Sequence, residues 1–456
     1  MKRKLISLFL CLVMAFAVLG SFTPVDAQAA AAKLNKKSVT LYVGETVKLK
    51  LKNAGSEVSW ETSQKSAATV KKGKVTAKKP GTATITATCN GKEYKCKVTV
   101  KEFESAFDAV ANMKIGINVG NYFDSTLRIF KGESPERFMT GWGNPIVDAS
   151  FFTKLKKLGF GAVRLPVTWM YHFDEDGNID PEWMGKVRET VEWILENDMY
   201  CIINIHHDTG ATEGDRDKWL YASMDNFKKN NELFSKLWAQ IAGEFKDCSE
   251  KLLFEGFNEM IDEKNDWVNA TSDASQAINE YNQLFVNTVR KTGGKNLTRN
   301  LICNTYGANI DESMLYYYSC PNDKFKDHII GQVHFYLPYE FAEDEGITWT
   351  THIKEYNDYV EETVDNGISY IGEAFRTRGP NRTPMPVIIG EFAVKNKNNT
   401  ADRIKWFTRV ISKAREWGIT CFIWDDGGPE HMGYIDRVGT NDPFPEIIEA
   451  CMEAAK

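Results

Sequence analysis

Two apolar runs in this sequence end in glutamate. One is Leu252-Leu253-Phe254-Glu255-Gly256-Phe257-Asn258-Glu259, and the other is Val387-Ile388-Ile389-Gly390-Glu391. A carboxyl pair held across a cleft can break an acetal. One member, Glu259, would protonate the leaving oxygen, and the other, Glu391, would attack the carbon from about 5 to 5.5 Å away. One such glutamate alone would read as a surface loop residue, whereas two, each ending an apolar strand, favour the acid and nucleophile pair. Glu255 competes, but it lies within its run and points inward. Asp425 and Asp426 compete after Cys421-Phe422-Ile423-Trp424.

Other run ends supply partners. Val163-Arg164-Leu165-Pro166 places a guanidinium where it could hold a carboxylate ionised. Asn204-Ile205-His206-His207-Asp208 and Val333-His334-Phe335-Tyr336 put three of the seven histidines at run ends. A metal site is the rival use for them. Strand alternation sends His206 and His207 to opposite faces, and the His-Glu-x-x-His spacing does not occur. Neither a metal nor another cofactor is expected. Trp424 could be a flat floor for a sugar ring, although a lone tryptophan in an apolar run also suits a core.

These residues need a scaffold that gathers strand ends. Eight apolar runs recur near residues 113–119, 160–166, 199–206, 251–258, 300–306, 328–335, 386–391 and 418–425. Amphipathic stretches separate them: Leu233, Phe234, Leu237, Trp238, Ile241 and Phe245 share one helical face. So do Ile404, Phe407, Val410, Ile411, Ala414 and Trp417. Continuous apolar strands suit a parallel sheet buried on both faces. No Gly-rich phosphate fingerprint follows the first run. An α/β fold of the (β/α)8 TIM-barrel type over residues 105–456 is therefore expected, with its site at the C-terminal strand ends.

Charge divides the chain. The whole carries −6, which argues against nucleic acid as the main partner. Residues 33–101 hold 16 Lys, no Arg and four Glu, a net +12, while residues 102–456 hold −20. A step this sharp predicts two folded units. The lysines either solubilise the small unit or contact an anionic surface.

Residues 1–30 read as a bacterial secretory signal peptide. Lys2-Arg3-Lys4 is a basic start, Leu5 to Leu19 an apolar stretch, and Ala27-Gln28-Ala29 a cleavage pattern. The apolar stretch is the only long one, so no membrane span is expected in the mature, exported chain.

Residues 33–101 read as an all-β sandwich of short alternating strands punctuated by glycines. An Asn90-Gly91 turn pairs Cys89 with Lys92 and sets Cys96 opposite Ile85, too far apart for a bridge. Cys201, Cys303 and Cys421 fall in buried runs, and no disulfide framework is expected.

The run Gly73-Lys-Val-Thr-Ala-Lys-Lys-Pro-Gly-Thr-Ala-Thr-Ile85 resembles the bacterial immunoglobulin-like domain of group 2, which implies a fold without defined chemistry. The large unit resembles glycoside hydrolase family 5. The match is carried by Gly116-Ile-Asn118-Val-Gly120-Asn121, Trp142-Gly-Asn-Pro145, Val163-Arg-Leu-Pro-Val-Thr-Trp169, Ile203-Asn-Ile-His-His-Asp208, Phe254-Glu-Gly-Phe-Asn-Glu259, His334-Phe-Tyr336, Ile389-Gly-Glu-Phe392 and Trp424-Asp425. Within the family it looks most like subfamily 4, the endo-β-1,4-glucanases and xyloglucanases.

The resemblance implies a secreted, retaining enzyme acting on cellulose-like, mixed-linkage or xyloglucan chains of the plant cell wall. By it, Glu259 is the acid/base and Glu391 the nucleophile. Arg164 and Tyr336 hold Glu391 ionised, and His334 positions Glu259. Asn258 meets the sugar 2-hydroxyl, His206, His207 and Asn121 line the same subsite, and Trp424 is its platform. Burial and the Glu391 charge are expected to raise the Glu259 pKa. Met260, Ile117 and Asp426 depart from the family pattern, where Pro, Trp and Asn are common. An endo-β-mannanase on the same scaffold and a non-catalytic glucan-binding surface protein are the alternatives. Contact with cell wall or polysaccharide through the basic small unit is a further expectation.

Overall fold

The computed structural model describes residues 31–209, 217–264, 266–343 and 352–456. The expected signal segment, 1–30, lies outside the described residues.

Eight strands form one closed parallel barrel. They are β1 (Ile115–Asn118), β2 (Ala162–Leu165), β3 (Tyr200–Asn204), β4 (Leu252–Glu255), β5 (Leu301–Asn304), β6 (Ile329–His334), β7 (Val387–Phe392) and β8 (Thr420–Ile423). Every residue in them is buried, which is why the runs show no polar alternation. β8 pairs with β1 and closes the ring. Register then sets polar strand ends side by side: Asn118 opposite Arg164, Asn204 opposite Glu255, and Asn304 opposite Gln332. Between β6 and β7 the register slips, so that His334 stands opposite Glu391. Such an irregularity re-aims side chains at a barrel rim.

Helices cover the outside of the barrel. Met224–Glu244, capped by Ser223, buries Phe234, Leu237, Trp238 and Ile241. Thr400–Glu416 buries Phe407, Val410, Ile411 and Ala414, together with Trp406 and Arg403. Among the described residues, no helix is long and apolar enough to cross a membrane.

The N-terminal unit has a four-stranded sheet in the order Ser38–Tyr42, Lys92–Lys101, Gly81–Cys89, Ser59–Thr62. A three-stranded sheet of Thr46–Lys48, Lys74–Ala77 and Ala68–Lys71 faces it, and Lys33–Leu34 pairs with Leu51–Lys52. Asn90 and Gly91 both have positive φ, as a tight two-residue hairpin turn requires. The register pairs Cys89 with Lys92 and Ile85 with Cys96, as expected from the turn. All eight cysteines of the described residues are free thiols.

This unit docks on one end of the barrel. The Tyr42 ring meets Phe103 edge-on at 4.9 Å, Lys295 lies over Tyr42, and Phe325 packs into the small core. Lys295 and Phe325 belong to the segments that lead into β5 and β6. The small unit thus sits at the N-terminal face, opposite the C-terminal strand ends.

Candidate active site

Arg164, at the end of β2, organises the mouth of the barrel. It is fully buried, so each of its donors needs a partner. Nε and Nη2 donate to the two oxygens of Glu255 at 2.7 Å each. Nη1 donates to Glu391 Oε1 at 2.5 Å and to Asn118 Oδ1 at 2.9 Å. Nη2 also donates to Asn258 Oδ1 at 2.8 Å. The Arg164 charge holds Glu255 below the usual carboxylate range, against the effect of burial.

Glu259 and Glu391 both approach the same ring nitrogen of His334. Its Nδ1 is 2.6 Å from Glu259 Oε1 and 3.5 Å from Glu391 Oε2. One oxygen of each carboxyl and a ring nitrogen of His334 all lie within 4.8 Å of one another. Tyr336 donates its hydroxyl to Glu391 Oε2 at 3.1 Å.

Burial pushes Glu259 up to about 7, and the Glu255 charge adds to the rise. The repulsion between Glu259 and Glu391 expected from sequence acts on the second carboxyl, where the Glu259 charge adds to the rise of Glu391. Burial raises Glu391 as well, opposed by its contact with Arg164. His334 is lowered to about 4 by burial, so its imidazole is neutral at neutral pH.

Trp424 and the histidines form the adjoining wall. The His206 and Trp424 rings are parallel, 5.9 Å apart, and Trp424 keeps part of its surface open. His207 meets His206 edge-on at 4.5 Å and Trp142 at 5.5 Å. Asn121 has a positive φ, and its backbone N–H donates to Asp124 Oδ2 at 3.0 Å. That oxygen is 3.9 Å from His207 Nε2. The structure therefore gathers all ten residues singled out in the sequence: Asn121, Arg164, His206, His207, Asn258, Glu259, His334, Tyr336, Glu391 and Trp424.

One geometric expectation fails. Alternation does not separate His206 from His207, because β3 ends at Asn204 and both histidines belong to the loop beyond it. Ligand atoms of Asp124, His206 and His207 all lie within 4.8 Å of one another. Asp124 already accepts two backbone N–H groups, from Tyr122 at 2.7 Å and Asn121 at 3.0 Å.

Sequence reasoning passed over three asparagines. Asn118, Asn204 and Asn304 end β1, β3 and β5 and are fully buried or nearly so. Asn204 Nδ2 donates to Glu255 Oε1 at 3.1 Å and lies 3.0 Å from His206 Nδ1. Asn304 Nδ2 donates to the Phe257 and Asn258 carbonyls at 2.5 and 2.9 Å, which fixes the strand tail carrying Glu259. Their signal was an amide closing an apolar run at alternate strands. Asp425 holds the loop after β8 in place, accepting from the Tyr434 and Ile435 amides and pairing with Arg437. Asp426 pairs with His431 at 2.5 Å.

A parallel eightfold barrel with a close carboxyl pair in its C-terminal mouth is the architecture of a glycoside hydrolase. The chain belongs to glycosyl hydrolase family 5, whose cellulase model matches residues 128–428. The model of the bacterial Ig-like domain of group 2 matches residues 25–100. Endoglucanase A of Clostridium longisporum is 32% identical over 372 residues, covering 79% of this chain and 68% of that protein. A family 5 enzyme from Prevotella bryantii B14, solved with a xyloglucan tetradecasaccharide, is 33% identical with a TM-score of 0.70, covering 78% of this chain and 99% of that one. A GH5-4 broad specificity endoglucanase from Ruminococcus champanellensis, solved with cellotriose, is 32% identical with a TM-score of 0.71, covering 77% and 100%.

Proposed function

We propose that this protein is a secreted bacterial endo-β-1,4-glucanase that cleaves cellulose-like, mixed-linkage or xyloglucan chains with retention of configuration. The observation that carries this reading is the carboxyl pair, with oxygens within 4.8 Å. Inverting enzymes need about 6.5 to 9.5 Å between the carboxyls to admit a water, and retaining enzymes about 5 to 5.5 Å. The organisation proposed with it is a signal peptide over 1–30, an Ig-like domain over 33–101 and a catalytic barrel over 105–456.

The roles follow from the hydrogen bonds. Glu391, charged and held by Arg164 and Tyr336, attacks the anomeric carbon. Glu259, protonated below about pH 7, gives its proton to the leaving oxygen. It then takes a proton from the water that hydrolyses the glycosyl–Glu391 ester. The Asn258 Oδ1 is occupied by Arg164, which leaves its amide N–H groups for a sugar hydroxyl. His206 accepts from Asn204 at Nδ1, which leaves an Nε2–H to donate. Trp424 supplies the flat apolar face. The signal segment fits this chemistry, because a polymer has to be met outside the cell.

The test is reducing-end release from carboxymethylcellulose, barley β-glucan, xyloglucan, glucomannan and xylan, by the mature protein and by Glu391→Gln. Turnover of the first three polymers, absent in the variant, is expected. Activity confined to glucomannan would make the enzyme a mannanase. Full activity in Glu391→Gln would remove the site assignment.

A further inference from the structure

The N-terminal unit violates a basic rule of sheet design. In antiparallel pairs, residues directly opposite share a face, and like charges there destabilise the sheet. Lys33 pairs directly with Lys52, and Lys74 pairs directly with both Lys48 and Lys71. Lys72, in the turn between Lys71 and Lys74, adds a fourth charge to the second group. All six are exposed. The Asn35 side chain binds the Lys48 carbonyl and the Lys50 amide, which ties the two groups along one edge.

Lys48 Nζ donates to the Lys72 carbonyl, but among the described residues no carboxylate neutralises these rows. Among the described residues, Lys95 is the only one of the sixteen lysines with a carboxylate partner, Glu93 at 3.0 Å. Solubility does not call for this pattern. The remainder of the chain already carries −20, and a soluble surface mixes both signs. The use of lysine alone is informative too. Arginine forks suit planar, bidentate recognition of a defined group, whereas lysines act as hydrated point charges. Rows of point charges fit a flexible polyanion of repeating charge.

We propose that this lysine band binds a polyuronate, an acidic polysaccharide with one carboxylate per sugar. The choice of polysaccharide rests on the glucanase reading, since an acidic polysaccharide is the polyanion found in the same matrix as a neutral glucan. The small unit sits at the barrel face opposite the cleft. A polyuronate bound there tethers the enzyme and leaves the C-terminal mouth free for the glucan.

The test is fluorescence anisotropy of labelled oligogalacturonate with the full mature chain, beside a labelled poly(glycerol phosphate) and a labelled neutral β-glucan oligomer. Oligogalacturonate is expected to bind at low salt and to be released in about 1 M salt, where the screening length falls to about 3 Å. The triple variant Lys48→Gln, Lys71→Gln, Lys74→Gln is expected to bind about tenfold more weakly or worse. Replacing the same three lysines by Arg should keep the binding, which separates lost charge from lost fold. All three proteins should hydrolyse soluble β-glucan with the same kcat/KM. Equal binding by the Gln variant, binding indifferent to salt, or tighter binding of poly(glycerol phosphate) would overturn the proposal. Failure of the glucanase reading would show in the hydrolysis assay alone.

Discussion

Arg164 and Glu255 face each other through two parallel bonds of 2.7 Å, and neither side chain reaches solvent. The pair spans β2 and β4, and the remaining donors of Arg164 go to Glu391, Asn118 and Asn258. Glu255 thus has no place on the reacting atoms, yet it sets the orientation of the guanidinium that touches them.

Glu255→Gln should cost heavily in stability. Breaking one side of a buried ion pair strands the other charge, typically at about 3 to 5 kcal/mol. The melting temperature should fall clearly, and kcat should fall with it as Arg164 loses its anchor. A thermal melt and a β-glucan assay on the same preparation check both. An unchanged melting temperature would mean that Arg164 finds another partner.

Glu259 sets the alkaline limit. Its acid form is needed for leaving-group protonation, and burial pushes its pKa up to about 7. Activity should therefore decline as pH rises through about 7. Stability follows the same sign. A carboxyl whose folded pKa lies above its unfolded value of about 4.3 contributes stability fully below that value and loses it as pH rises through the folded pKa. Glu259→Gln, neutral at every pH, should gain in melting temperature relative to the native protein between pH 5 and 8. Its activity on polysaccharide should drop by about 10² to 10⁴, and by less on an aryl glycoside whose leaving group needs no proton. A parallel pH dependence of melting in both proteins would place the high pKa elsewhere.

The eight cysteines of the described residues should behave as apolar filler. Burial pushes the Cys201 and Cys303 thiols well up, so little thiolate exists to react. Reductant should leave the melting temperature unchanged. Thiol titration should be slow in the native protein and complete after denaturation. A drop in melting temperature on reduction would reveal a bridge.

Much of this was legible in the sequence. The barrel strands could be read because each is buried on both faces and therefore uniformly apolar. Glu259 and Glu391 could be read because a carboxylate closing such a run has to lie at a mouth. The partner of Arg164 could not be read. It lies 91 residues away, and only the register of β2, β3 and β4 brings it alongside. The two histidines defeated the alternation rule because strand geometry stops at Asn204, one residue before Ile205 and two before His206. Trp406 escaped the helical-face reading, although it is fully buried and its indole donates to the Leu337 carbonyl at 3.0 Å.

Gly120 offers a way to test the Trp424 platform without removing it. A Cβ at position 120 would come within 2.7 Å of the Trp424 ring and 3.1 Å of the Asp425 carbonyl oxygen. Real side chains do not tolerate such an approach, so Gly120→Ala has to push the indole away from its present plane. Gly120 does not adopt a positive φ, so alanine brings no backbone strain of its own. The cost is one of overpacking, about 1 to 3 kcal/mol, and it falls on the face that a sugar ring would cover. KM for β-glucan oligomers should rise about tenfold, with the pH profile unmoved because Glu259 and His334 keep their bond. Trp424→Ala should give a loss of the same kind and larger size. Normal KM in both variants would show that the indole is a core residue and that the sugar rests elsewhere.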